Sequence, residues 1–136
     1  MRAEPLFPDL TATIEGPVLA LTAPLSFWGG VDPATGRIIQ VRHPQCGMTI
    51  GGTVLALPGT IGSSSSSAVL LELIRLNIAP AALLLAAPDA ILLIGCVVGR
   101  EMGWKPPPAF RLGETDQARL PAGRISIAAD GDIRIR

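Results

Sequence analysis

LPGTIGSSSSSAVLLELIR (Leu57–Arg75) joins a short apolar run to a leucine-rich segment through two glycines and five consecutive serines. Serine runs are common in flexible linkers, and a single serine suffices as a helix N-cap. A linker joins independent domains, however, and 136 residues make about one domain, so the chain is expected to be a single domain over 1–136. Downstream of the serines, Val69, Leu70, Leu73, Ile74 and Leu76 recur at helical spacing, with Glu72 and Arg75 on the other side. Upstream, Gly51-Gly52 introduces a buried strand over Thr53–Leu57 that ends at Pro58-Gly59. The stretch therefore reads as strand, glycine-punctuated turn and helix, with the spacing of a tight βα connection.

Working outward, the first third of the chain is β-prone. Thr11–Ile14 and Val18–Thr22 read as strands parted by a turn at Glu15-Gly16-Pro17, and Ala34-Thr35-Gly36 turns the chain into a strand over Arg37–Val41. Beyond the first helix, which Pro80 ends, Ala81–Ala86 has strand length. Pro88-Asp89 suits a helix start, with proline at the first position and an acid near the positive end of the dipole. Ile91, Ile94, Gly95, Val98 and Met102 form a stripe along that helix, and Gly103 closes it. Ala109–Leu112 reads as a strand and Gly113–Ala118 as a polar loop. The alternating tail on both sides of Asp130-Gly131 is a hairpin signal. The sum is a mixed α/β fold with a β-rich core and two main helices.

Lys+Arg and Asp+Glu number 11 each, so the net charge is zero. That removes the electrostatic case for nucleic acid or an anionic membrane. Ile78–Val98 is the most membrane-like stretch, but Pro80, Pro88, Asp89 and Gly95 interrupt it well short of the roughly 20 apolar residues a spanning helix needs. The acidic, proline-bearing N-terminus lacks the apolar core of a signal peptide, so a cytoplasmic protein is expected. Cys46, Cys96 and the lone His43 cannot by themselves complete a four-ligand zinc or iron–sulfur site, so no metal is expected on this chain. Hydrophobic residues make up 49% of the chain and charged ones 16%, which points to a surface partly covered by another chain.

A glycine-rich turn entering a helix presents backbone N–H groups and the positive end of the helix dipole, which suits a small anion. No lysine follows the glycine, so the loop is not of the Walker A type, and His43 beside Pro44 gives a serine nucleophile no obvious base. On the residues alone, a linker, a plain N-cap and a small-anion site all stay open, with the anion site favoured by the tight connection.

Three stretches, LSFWGGVDPATGRII, HPQCGMTIGGTVLALPGTIGSSSSSAVLLELI and APAALLLAAPDAILLIGCVVG, together resemble the small swivel-domain subunit of the aconitase X family over about Pro24–Gly103. The resemblance implies a swivelling β/β/α domain that docks on a larger subunit, and that subunit would carry the iron–sulfur or iron centre. It implies a dehydratase active only with that partner: bacterial two-subunit members act on cis-3-hydroxy-L-proline, and archaeal relatives on mevalonate 5-phosphate. Carried over by position, Ser63 is the catalytic proton acceptor, and Gly62, Ser64 and Ser65 bind the substrate carboxylate. Ile61 stands where the family often has an arginine, a natural ligand for carboxylate or phosphate, which favours the imino acid over the phosphorylated substrate. A non-catalytic module that captures a small carboxylate is the competing reading. Trp28, Gly29, Gly30 and Asp32 are candidates for the cleft but are also ordinary turn residues. Cys46 is a candidate near the iron centre, and Trp104 with Pro106–Pro108 for the partner face.

Overall fold

The computed structural model describes residues 1–7 and 13–136. Strands β1 (Glu4–Pro5), β2 (Ile14–Ala20), β3 (Val54–Leu57), β4 (Ala82–Leu85), β5 (Ala109–Arg111), β6 (Arg124–Ile127) and β7 (Ile133–Ile135) alternate with helices α1 (Ser66–Arg75), α2 (Ala90–Glu101) and α3 (Glu114–Gln117). The strands form one seven-stranded sheet in the order β1-β5-β4-β3-β2-β6-β7. The four central strands run parallel, with Val54 opposite Val18 and Ala82, whereas β1, β6 and β7 join antiparallel.

β3 (VLAL) and β4 (ALLL) are buried at every position, as expected of central parallel strands covered on both faces. Leu55, Leu57, Leu83 and Leu85 point to one face, where they meet α1, α2 and the long segment carrying Leu25, Phe27, Ile38 and Ile50. Val54, Ala56, Ala82 and Leu84 point to the other, where the sheet curls so that Ile125 and Ile127 of β6 and Phe110 of β5 close over them. Leu70 and Leu73 of α1 have no exposed surface, and each contributes about 1.5–3 kcal/mol by leaving water. The chain ends meet: Ala3 N–H donates to Gly131 O at 2.8 Å and Ile133 N–H to Met1 O at 2.9 Å. Gly131 has φ +92, and a Cβ there would run into the Ala3 carbonyl.

Four sequence expectations need correction. Glu15-Gly16-Pro17 is not a turn, because β2 runs straight through it. Pro17 is tolerated because β2 changes partners there, pairing with β6 over Ile14–Pro17 and with β3 over Val18–Ala20. Thr11 and Ala12 of the expected first strand lie outside the described residues. Arg37–Val41 is no strand and makes only isolated bridges, Val31–Ile38 and Arg37–Thr49. Its backbone is shared between two turns, with Ile38 N–H on Met48 O and Ile39 N–H on Gly30 O. Asp89, not Pro88, begins the α2 boundary: it is the N-cap, accepting Leu92 N–H at 3.1 Å. Finally, the polar loop Gly113–Ala118 contains α3, whose Gln117 is buried.

The stripe on α2 also faces unexpectedly. Leu92, Gly95, Cys96 and Gly99 are the buried residues, while Ile91, Ile94, Val98 and Met102 are 43, 51, 37 and 58% exposed. A Cβ on Gly95 would stand 2.7 Å from Ser67 O, so the two helices touch backbone to backbone.

Candidate functional site

β3 ends at Leu57, and the chain leaves the sheet at the carboxyl end of its parallel strands, where open α/β folds place ligands. The loop that follows is tied down on two sides. Leu25 N–H donates to Gly59 O at 3.2 Å, and Ile61 N–H donates to Leu25 O at 3.1 Å. Thr60 Oγ1 donates to Asp89 Oδ2 at 2.7 Å, so the carboxylate that caps α2 also fixes the loop. These bonds leave no slack before Gly62, which rules against the linker.

Ser63 and Ser65 are half-buried, and Gly62 and Ser64 are exposed. Ser63 Oγ accepts the N–H of Ser65 at 3.2 Å, and its carbonyl accepts that of Ser66 at 3.1 Å. Ser65 is the N-cap of α1, in αR geometry (φ −84, ψ −6) and without a side-chain cap bond. Ser67 Oγ donates back to Ser64 O at 3.3 Å. Among the described residues, the N–H groups of Gly62, Ser63 and Ser64 have no acceptor. The first turn of α1 holds no acidic residue, so its positive end is not offset by its own side chains.

Chemically, this is a hydroxyl oxygen that already receives one N–H bond, beside three open backbone donors. Hydrogen bonds to an oxygen favour its charged form, as does the field of a helix N-terminus. Ser65 thus acts on Ser63 through its backbone N–H, a role its residue type did not reveal. The part played by Thr60 and Asp89 carries no sequence signal either, since 29 positions separate them.

The remaining candidates are occupied elsewhere. Asp32 Oδ1 accepts Ala34 N–H at 2.9 Å within its own turn. His43 is buried, with Nε2 3.0 Å from Ala23 O and Nδ1 accepting Gln45 N–H at 3.0 Å. Trp28 is 61% exposed. Cys46 is exposed and Cys96 buried, and both are free. Burial pushes the Cys96 thiol up to about 12, so it stays protonated within the core. Among the described residues, no group of three or more His, Cys, Asp or Glu could hold a metal ion. The described side chains therefore do not fit an iron–sulfur cluster or an iron ion. An open cleft of about 390 Å³ involves Gly52, Ala79 and Pro80; these precede β3 and β4, so it lies at the opposite end of the sheet from the serines.

A curled mixed sheet whose central βα turn carries an open donor array defines a swivel-type domain. The sequence matches the family model of the aconitase X swivel domain over residues 9–135, and the chain belongs to that family. It is 41% identical over 128 residues to a cis-3-hydroxy-L-proline dehydratase of Pseudomonas aeruginosa, covering 89% of this chain and 22% of that protein. The chain thus spans about a fifth of that relative's length. It is also 41% identical over 99 residues to the phosphomevalonate dehydratase small subunit of Methanopyrus kandleri, covering 73% of each. The crystal structure of Thermococcus kodakaraensis aconitase X in its holo-form superposes with a TM-score of 0.82 at 26% identity, covering 100% of this chain and 98% of that one.

Proposed function

We propose that this chain is the swivel-domain part of a dehydratase that removes water from cis-3-hydroxy-L-proline to give Δ1-pyrroline-2-carboxylate. In this reading it is active only with a larger aconitase X-type subunit. Ser63 Oγ takes the proton beside the carboxylate, and the N–H groups of Gly62, Ser63 and Ser64, with the Ser64 hydroxyl, hold that carboxylate. The observation that carries this reading is the Ser65 N–H on Ser63 Oγ beside those open donors. A serine hydroxyl is a weak base, and fixed donors aimed at its oxygen favour the alkoxide without reorganisation. In this reading the iron or iron–sulfur centre belongs to the larger subunit, a placement supported by the lack of a fitting cluster of ligands among the described residues of this chain. Two free cysteines support a reducing, cytoplasmic setting.

Ile61, 49% exposed in the loop, supplies no cation for a phosphate, so the imino acid is preferred to mevalonate 5-phosphate.

The test is Ser63→Ala assayed with the larger subunit on both substrates. The expected outcome is unchanged folding and association with at least a hundredfold loss of turnover on the imino acid, in line with the roughly 10²–10⁴-fold worth of a general base. Near-normal turnover would remove Ser63 from the role. Carboxylate binding by the isolated chain, with no activity in any combination, would identify a capture module instead.

A further inference from the structure

We propose that the outward face of α2, with Ile61 of the serine loop, is the surface on which the larger dehydratase subunit docks. This rests on the proposed function and names the face through which that function is assembled. Ile91, Ile94, Val98 and Met102 follow one another at three- and four-residue intervals, so they share one side of the helix. All four are exposed, and Ile61 is 49% exposed. The opposite side of the same helix is already packed on α1 through Leu92, Gly95, Cys96 and Gly99. A helix that is apolar all round is normally covered all round, and a contiguous exposed apolar strip of this kind marks an interaction site.

Two observations identify the occupant. First, the strip starts at the serine loop: Thr60 Oγ1 bonds to Asp89 Oδ2 at 2.7 Å, which places the loop at the N-terminal end of α2. A body that completes a site at Ser63 must approach that end, and the apolar strip extends directly from it. Second, the matched stretch is only 22% of the Pseudomonas relative, so in that protein the remaining 78% is polypeptide outside the matched domain. In Methanopyrus the same fold is named as a small subunit. The covering body is therefore the large subunit, and the Thr60–Asp89 bond holds the loop in register with the face on which it docks.

The experiment measures association of the chain with the large subunit by co-purification and by titration, for wild type, Ile94→Lys, Val98→Lys, Ser63→Ala and Ile135→Lys. Ile135 is 76% exposed on β7, at the edge of the sheet, and serves as a surface control. Ile94→Lys and Val98→Lys are expected to fold normally, because both sites face solvent, and to weaken association at least tenfold. Ser63→Ala and Ile135→Lys are expected to associate like wild type. Unchanged affinity of both α2 variants overturns the docking face while leaving the serine assignment standing. Wild-type turnover by Ser63→Ala overturns the serine assignment while leaving the face standing. Sizing of the chain alone covers the remaining occupant: a dimer that Ile94→Lys dissolves would show that a second copy covers the face and would overturn the proposal.

Discussion

Gly95→Ala tests how tightly α2 holds the serine helix. The added Cβ would meet Ser67 O at 2.7 Å, with Leu70 Cβ at 3.4 Å and Leu71 N at 3.5 Å. Non-bonded heavy atoms rest best at roughly 3.5–4.0 Å, so α2 must back away from α1 by roughly 0.8 Å. The atom it meets is backbone, which cannot rotate aside. Overpacking of this kind costs about 1–3 kcal/mol, while alanine in place of a mid-helix glycine returns about 1 kcal/mol. The expected net loss is ~1 kcal/mol, or about 3–5 °C in Tm for a chain of this size. Gly99→Ala is the matched control. Its Cβ would lie 3.1 Å from Ile74 Cγ2, a side-chain atom that can shift, so the same gain in helix propensity leaves that variant near or above wild type. Urea titration of the two variants side by side reads the difference, expected at ~1–2 kcal/mol with unchanged m-values. Because Ser67 bonds back to Ser64, turnover by the assembled Gly95→Ala enzyme should fall further than its unfolded fraction explains. A Gly95→Ala chain as stable as Gly99→Ala would show that the helices part freely, and the claim of a rigid seat for the serines would fail.

Gln117 Nε2 donates to Leu57 O at 3.0 Å, Leu112 O at 2.9 Å and Leu84 O at 3.3 Å. Gln117→Leu removes all three bonds, although Leu57 O keeps the Ala86 N–H at 3.1 Å, and is expected to cost ~2 kcal/mol by urea titration, whereas a neutral outcome would mean water replaces the lost donor. Cys96 gives a pH dependence. Its pKa rises from 9.0 to about 12 on folding, so only the unfolded chain ionises between those values. Stability is therefore full below pH 9 and declines at up to ~1.4 kcal/mol per pH unit as the pH rises towards 12. Subtracting the profile of Cys96→Ala isolates this slope, and identical profiles would refute it.

The sequence was most legible where one physical signal dominated. β3, the glycine turn and α1 were readable because a fully apolar strand, a chain break and a 3.6-residue period follow each other directly. The Asp130-Gly131 hairpin was readable because that dipeptide suits the left-handed turn, and β6 and β7 pair around it as expected. Pro17 misled because proline normally breaks a strand, and only the partner exchange of β2, a long-range fact, makes it harmless. The orientation of α2 was not legible, since AILLIGCVVGRE is apolar on both sides. Gly95 and Gly99 were the one cue, as small residues four apart mark a close helix contact. Within the site, Ser63 was named from the resemblance, while its Ser65 N–H and the Thr60–Asp89 tie depended on backbone geometry that composition does not encode.

The joined chain ends have a mechanical consequence. Met1 and Ala3 bond to Ile133 and Gly131, so a longer polypeptide entering and leaving this domain would do so at nearly one point. A body attached at one point is a pendulum: it can rotate about its attachment without its sheet being sheared. The same architecture can then serve as an inset within a long chain, joined to it at the seam of the ends, or as a separate piece held by its docking face alone. Gly131 holds that seam, and a side chain there would open the pivot while leaving the residues around Ser63 untouched.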